Sequence, residues 1–188
     1  MKRVVFLFSV CFANNNNYIV GTTNNKQPKI ILLKRFMITI NNFEEFEKLV
    51  GKELGVSNWL KITQEQINQF ADATLDHQWI HVDEERAKKE SPFKSTIAHG
   101  YLTLSLLPHL WEEIVEVNNV KSLINYGIEK LRFSEPVLVN DEVRLRVKLK
   151  SIRNLRGVVK TEMDASLEIK GKKRSAYDAT IVFLYNFK

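Results

Sequence analysis

The stretch that decides the fold runs from residue 97 to residue 111 and reads IAHGYLTLSLLPHLW. No charged residue occurs between Tyr101 and Trp111. A helix that is apolar on nearly every side is a buried helix, so we predict a buried central helix over 101–117. Pro108 is expected to bend this helix or to end its first part.

The residues after position 120 change to the alternation of apolar and polar side chains that is typical of β-strands. We predict strands over 125–134, 143–150, 163–169 and 177–187. Turn residues at 154–157 and 171–174 indicate hairpins between neighbouring strands. The residues between the apolar positions of 177–187 are mostly uncharged, which predicts that the last strand lies in the interior of the sheet.

Short helices are predicted before the central one. Apolar residues at helical spacing indicate a helix over about 42–50, followed by a loop or strand. Thr63 and Gln66 have the spacing of a capping box for a helix over 64–74. Asp83 is expected to cap a further helix that Ser91-Pro92 ends. The link between these two helices shows no helical period, and we predict it to be non-helical.

This order of elements predicts an α+β domain in which an antiparallel sheet curls around the central helix. A sheet must cover an apolar helix, and consecutive hairpins favour antiparallel pairing. The predicted single domain covers 37–188. Its length suits one hydrophobic core, and no run of about 20 apolar residues indicates a membrane span.

The first 36 residues differ from the rest. Lys2-Arg3 and the apolar run over 4–12 resemble a secretory signal, and an asparagine-rich stretch typical of disorder follows. A signal peptide and an anchoring or regulatory tail are alternatives. We favour an extension outside the functional fold, because well-patterned sequence begins at Met37.

Charge and cysteine content limit the possible partners. Six of the 28 basic residues and none of the 22 acidic residues lie in 1–36, so residues 37–188 carry equal numbers of both signs. The net charge of +6 therefore gives no reason to expect a nucleic acid. Cys11 is the only cysteine, which is compatible with the cytoplasm that we expect.

Candidate catalytic residues cluster in the link before the second short helix, which reads DHQWIHVD over 76–83. Asp76 and His81 have the side chains that an acid–base reaction on one water needs near neutral pH. On spacing alone, a non-catalytic explanation is equally open: Asp76 caps a turn, and His81 is an ordinary surface histidine. His77 and His81 lie four apart, but Gln78 replaces the glutamate of the zinc motif, so we predict no metal.

Gly100 precedes the central helix, where unpaired backbone N–H groups lie in a positive dipole field. Such donors suit the oxygen of a thioester enolate, although a plain glycine at a helix start is the simpler explanation. His99 and His109 are expected to be structural. Trp79 is expected to pack rather than to stack on substrate, and Ser105 is expected to be a small packing residue that also touches the site.

The stretch Asp76–Asp83, followed by Ala98-His99-Gly100-Tyr101-Leu102, resembles the MaoC-like dehydratases. These include the R-specific enoyl-CoA hydratases and the branch similar to nodulation protein N. The resemblance covers about 40–188 and rests on an Asp-x4-His pair followed about 18 residues later by His-Gly.

The resemblance implies a hot-dog fold, a homodimer, and reversible hydration of a trans-2-enoyl-CoA to an (R)-3-hydroxyacyl-CoA without a cofactor. Asp76 and His81 match the pair that holds the catalytic water, and Gly100 matches the backbone donor to the thioester carbonyl. By their positions in or beside these motifs, the expected substrate-binding residues are His99, Gln78, Trp79 and Ser105.

Two positions depart from the pattern of that family. Leu75 replaces the usual glycine before the aspartate, and Gln78-Trp79 replaces the usual Asn-Pro. A bulky Leu75 is expected to alter the turn that directs Asp76. One alternative to a hydratase is a hot-dog thioesterase, in which a carboxylate directs water at the carbonyl. The other is a non-catalytic acyl-CoA-binding protein, for which Leu75 is the only support in the sequence. The retained Asp-x4-His pair favours the hydratase.

Overall fold

The computed structural model describes residues 18–21, 29–32 and 37–188. The chain divides into two compact units, Met1–Phe36 and Met37–Lys188. In the first unit, β1 (Tyr18–Gly21) pairs antiparallel with β2 (Lys29–Leu32). The predicted signal-like run, the asparagine-rich stretch and Cys11 lie outside the described residues.

Six helices and eight strands are described in the second unit. In chain order they are β3 (Ile38–Ile40), α1 (Phe43–Glu47), β4 (Glu53–Val56), β5 (Leu60–Lys61), α2 (Gln64–Thr74), α3 (Trp79–Val82), α4 (Glu84–Glu90), α5 (Gly100–Ser105), α6 (Leu107–Glu112), β6 (Val115–Val117), β7 (Val120–Phe133), β8 (Glu142–Leu155), β9 (Val158–Ile169) and β10 (Tyr177–Phe187).

The main sheet is antiparallel and has the order β4-β8-β9-β10-β7, with β5 also paired to β8. The predicted α+β class is therefore confirmed. The predicted position of the last strand is also confirmed, because β10 lies between β9 and β7. Strand β7 forms one edge of the sheet within the described part of the chain.

The central helix is shorter than predicted and is interrupted. It consists of α5 and α6, which meet at Leu106, and Pro108 lies in the first turn of α6. Pro108 lacks an N–H, and the first turn of a helix needs none, so the proline marks the start of the second part. The prediction of helix over 113–117 was wrong, because 115–117 form β6, which pairs parallel with β3.

The prediction that this helix is buried on nearly every side was also wrong. Leu102, Leu107 and Leu110 are buried in the core, but Tyr101, Ser105 and His109 form an exposed stripe at a spacing of four. The stripe contains no aspartate, glutamate, lysine or arginine. The lack of charged residues therefore suggested burial and did not reveal that this face of the helix is exposed.

The short helices follow the sequence closely. The capping box of Thr63 and Gln66 starts α2, and the Asp83 side chain accepts a hydrogen bond from the Arg86 N–H at the start of α4. One correction concerns the link between them, which contains the helical turn α3. A single turn has too few residues to show a helical period. No helix in the described residues is long and apolar enough to cross a membrane.

Candidate active site

The position of Asp76 is determined by the end of α2. Leu75 is the C-cap residue of α2 and has the left-handed conformation, with φ 63° and ψ 19°. Its side chain is 81% exposed. A left-handed residue reverses the direction of the chain after a helix. The turn brings Asp76 next to the segment that leads into α5.

His81 lies on α3 and is 8% exposed, so it is not an ordinary surface residue. Its Nδ1 is 2.8 Å from the main-chain carbonyl oxygen of Ile97. A carbonyl only accepts hydrogen bonds, so Nδ1 must carry the proton. In the neutral ring, Nε2 is therefore the nitrogen with the free lone pair.

His99 is the N-cap residue of α5 and is 3% exposed. Its Nε2 donates a hydrogen bond of 2.9 Å to the main-chain oxygen of Asp76. The ring of His99 stacks on the ring of His81 with centroids 3.8 Å apart, and it contacts Phe70 of α2 at 5.1 Å. The Nδ1 of His99 is buried and has no hydrogen-bond partner among the described residues.

Three side chains thus converge at one point. A carboxylate oxygen of Asp76 and ring nitrogens of His81 and His99 lie within 4.8 Å of one another. Burial lowers the pKa of His81, and the neighbouring His99 lowers it further, against the Ile97 carbonyl and Asp76, which raise it. The Asp76 side chain is 56% exposed, so water reaches a carboxylate beside a neutral, buried imidazole.

The same three residues have the donor atoms of a metal site, but the geometry does not require one. His81 Nδ1 and His99 Nε2 are already used by main-chain carbonyls. The nitrogen of His99 nearest Asp76 would have to give up its hydrogen bond to bind an ion.

Gly100 is the first residue of α5, adjacent to this cluster. A Cβ on Gly100 would lie 3.2 Å from the ring of Phe133. The Thr103 hydroxyl donates to the Gly100 carbonyl oxygen at 2.7 Å and is buried. The helix start is therefore tightly packed on one side, and sequence reasoning did not identify Phe133 or Thr103.

The other predicted substrate-binding residues are less directly placed. Gln78 is exposed and its side chain makes no cap hydrogen bond to α3. The Arg86 guanidinium lies 4.5 Å from the ring centroid of Trp79, which supports packing rather than substrate stacking. Ser105 is exposed and donates to the Tyr101 carbonyl oxygen at 2.7 Å, so the prediction that it packs inside the helix core was wrong.

Gln64 supports the site and was not recognised from the sequence. Its Nε2 donates to the main-chain oxygen of His81 at 2.8 Å, and its Oε1 accepts from the hydroxyl of buried Thr96 at 2.6 Å. It therefore ties α2 to α3 and to the segment before α5. The only sequence signal was a polar residue in the first turn of α2, which is ordinary at a helix start.

Comparisons with known proteins identify one family. Residues 45–170 match the model of the MaoC like domain. The 3-hydroxyacyl-thioester dehydratase Z of Mycobacterium tuberculosis is 43% identical over 150 residues, which cover 79% of this chain and 99% of that protein. Nodulation protein N of Rhizobium meliloti is 39% identical over 148 residues, which cover 78% of this chain and 92% of that protein.

Solved structures confirm the predicted hot-dog fold. An Archaeoglobus structure described as a monoamine oxidase regulatory protein has a TM-score of 0.65 at 20% identity, covering 81% of this chain and 99% of that one. The unliganded R-hydratase PhaJ1 of Pseudomonas aeruginosa has a TM-score of 0.58 at 21% identity, covering 74% and 83%.

Proposed function

This chain belongs to the family of MaoC-like dehydratase domains, and from that premise we propose that it is a hydro-lyase that interconverts a trans-2-enoyl-CoA and an (R)-3-hydroxyacyl-CoA. The observation that carries the proposal is the convergence of Asp76, His81 and His99 within 4.8 Å. The relative at 43% identity is named a 3-hydroxyacyl-thioester dehydratase, which supports the substrate class of a thioester.

Hydration adds the oxygen of water to C3 of the enoyl group and a proton to C2. The Asp76 carboxylate and the Nε2 lone pair of His81 are two acceptors for the two protons of one water. One of them takes a proton as the C–O bond forms, and C2 receives one proton from the pair, so no net proton is consumed. The lowered pKa of His81 keeps its Nε2 free to accept.

The negative charge that develops on the thioester oxygen needs a donor. We assign this role to the Gly100 N–H, because the first N–H groups of a helix have no partner within the helix. The absence of a side chain at Gly100 accommodates the ring of Phe133, which would lie 3.2 Å from a Cβ at this position. No cofactor enters this reaction.

The non-catalytic alternative loses support from the conformation of Leu75. Its replacement of the usual glycine was the reason to consider a non-catalytic binding protein. Leu75 nevertheless has a positive φ of 63°, which a glycine adopts at little cost. Leucine has this left-handed conformation at a cost of roughly 1–2 kcal/mol. For a thioesterase, no observation on the described residues favours attack at the carbonyl over attack at C3.

We further propose that the protein is a homodimer, assembled through the edge of the sheet. Strand β7 has large apolar side chains that are 44–65% exposed, namely Leu123, Ile124, Tyr126 and Ile128. An edge strand with such side chains is a template for pairing with another chain. We place the protein in the cytoplasm, with which its single cysteine is compatible.

The test uses the full chain with crotonyl-CoA and follows the ultraviolet absorbance of the conjugated thioester, with a free-thiol assay on the same sample. Loss of absorbance without free thiol, and an R product by chiral chromatography, is the expected result. Release of thiol would instead indicate a thioesterase. An unchanged signal over several chain lengths would contradict the hydratase.

A further inference from the structure

We propose that His99 is a positioning residue, whose Nε2–H holds the main chain of Asp76 while its ring fixes the plane of the His81 ring. The inference rests on the proposed function only for its effect on rate. The geometry itself can be tested without any substrate.

The protonation of His99 follows from its partner. The Asp76 carbonyl oxygen lies 2.9 Å from Nε2 and can only accept a hydrogen bond, so Nε2 carries a proton. His99 therefore cannot take a proton at Nε2 or give one up without breaking this contact. Its ring is 3% exposed, so bulk water does not supply an alternative partner. These constraints favour positioning over proton transfer.

Asp76 needs such support because its own surroundings do not fix it. Its side chain is 56% exposed, and it follows a left-handed residue that is 81% exposed. Packing therefore does not determine where the carboxylate points. The hydrogen bond from His99 supplies a fixed point at the main chain of the residue itself.

The segment that carries His99 is itself rigidly held. The Ile97 N–H donates to the Ile80 carbonyl oxygen at 3.1 Å, and the Ala98 N–H donates to the Val137 carbonyl oxygen at 2.8 Å. The first contact joins the segment to α3, and the second joins it to the chain that follows β7. A side chain on this segment is thus a suitable reference for the exposed residue Asp76 at the end of the turn.

The hydrogen bond made by the His81 ring runs in the opposite direction, from α3 to the segment that carries His99. His81 donates from Nδ1 to the Ile97 carbonyl oxygen at 2.8 Å, whereas His99 donates to the Asp76 carbonyl oxygen. Each ring is therefore anchored to the main chain of the other segment, and the two rings stack at 3.8 Å and 26°. Loss of the His99 ring would free both members of the proposed catalytic pair.

Two substitutions separate the hydrogen bond from the packing. His99→Phe keeps a ring against His81 and Phe70 but removes the donor. His99→Gln keeps a side-chain N–H that can reach the Asp76 carbonyl but removes the ring. His109→Gln, at an exposed histidine on α6, is the matched control.

We expect His99→Phe to lower kcat about 10- to 100-fold with KM changed less than about threefold, because misplacement of a reacting group affects the transition state more than binding. His99→Gln should recover at least part of kcat, and His109→Gln should leave it unchanged. An unchanged kcat in His99→Phe, at an unchanged melting temperature, would overturn the role of the hydrogen bond.

A measurement on the unmodified protein keeps the inference testable if a variant fails to fold or if the enzyme proves inactive. Long-range 1H–15N spectra of the imidazole rings report which nitrogen carries the proton. We expect His99 as the Nε2–H tautomer, with a proton that exchanges slowly with solvent, and His81 as the Nδ1–H tautomer. A His99 ring protonated at Nδ1 alone would refute the inference, whatever the activity assay shows.

Discussion

The ring of Phe133 packs against Gly100 so closely that a Cβ on the glycine would lie 3.2 Å from it. Phe133 is 42% exposed and is the last residue of the edge strand β7. One aromatic ring thus joins the start of the central helix, where we place the thioester carbonyl, to the edge of the sheet.

Gly100→Ala should therefore reduce activity more than stability. Phe133 can move by a few tenths of an ångström, so we expect the free energy of unfolding to fall by no more than about 1 kcal/mol. A methyl group beside the donor N–H should lower kcat/KM about 10- to 100-fold. The measurements are crotonyl-CoA kinetics and thermal unfolding.

The double variant Gly100→Ala with Phe133→Leu is the control for packing. It relieves the contact with the ring, so the melting temperature should recover while activity stays low. Recovery of activity along with stability would mean that the methyl group acts through Phe133, and that the Gly100 N–H is not the donor.

Asp76→Asn and His81→Gln should each lower kcat at least about 100-fold, since each removes an acceptor for a proton of the same water. The double variant should add little to the larger single effect, because the two groups act as a unit. His77→Gln is the control, because His77 is exposed and pairs with Asp72 at 2.8 Å. Full activity in either single variant would remove that residue from the mechanism.

Part of this site was predictable because its signals are local. The spacing of Asp76 and His81 is a property of one short segment, and the capping residues Thr63 and Asp83 act on neighbouring N–H groups. The hydrogen bond from His99 to Asp76 joins residues 23 apart, and no local pattern marks it. Sequence reasoning therefore placed His99 beside the site but gave no account of what it contacts.

The same limit explains the errors in the fold. The strands were predicted because alternation repeats over many residues, whereas the single turn of α3 offers four residues and no repeat. The residues of β6 were assigned to the helix because the apolar side chains of Val115 and Val117 are compatible with a helix as well as with a strand. Pairing with β3, about 77 residues earlier, decides between them.

Leu75→Gly should raise the melting temperature, because glycine removes the cost of roughly 1–2 kcal/mol for a left-handed leucine, less the larger entropy of glycine in the unfolded chain. We expect a net gain of about 1 kcal/mol, or roughly 2–4 °C, with kcat unchanged. Arg156→Gly is the matched control, since Arg156 also has a positive φ, 56°, in the turn between β8 and β9. A loss of activity in Leu75→Gly alone would show that the leucine side chain serves the site.

The pH dependence follows from the lowered pKa of His81. The proposed reaction needs a neutral His81, so kcat/KM should stay constant on acidification through pH 6.5, the ordinary pKa of histidine, and fall only at lower pH.

The lowered pKa of His81 also affects stability. On acidification, the unfolded state binds a proton near pH 6.5, before the folded state does. The contribution of His81 to the free energy of unfolding is therefore present above that pH and is lost as the pH falls through the folded pKa. The measurements are a pH–rate profile and unfolding curves over the same range. In His81→Gln, the part of the pH dependence of the free energy of unfolding that is due to His81 should vanish. An unchanged pH dependence of unfolding in that variant would assign the effect to other groups.

Ile124→Lys together with Tyr126→Lys should convert the proposed dimer into a monomer. These residues are 52% and 65% exposed on β7, and two added charges on an edge strand oppose pairing with a second chain. Light scattering after size-exclusion chromatography measures the mass. Leu155→Lys is the control, because Leu155 is 51% exposed at the end of β8, away from this edge. A dimer that survives the β7 variant but not the control would place the interface elsewhere. Because Phe133 lies at the end of the same strand and packs against Gly100, we also expect the monomer to show a higher KM than the dimer.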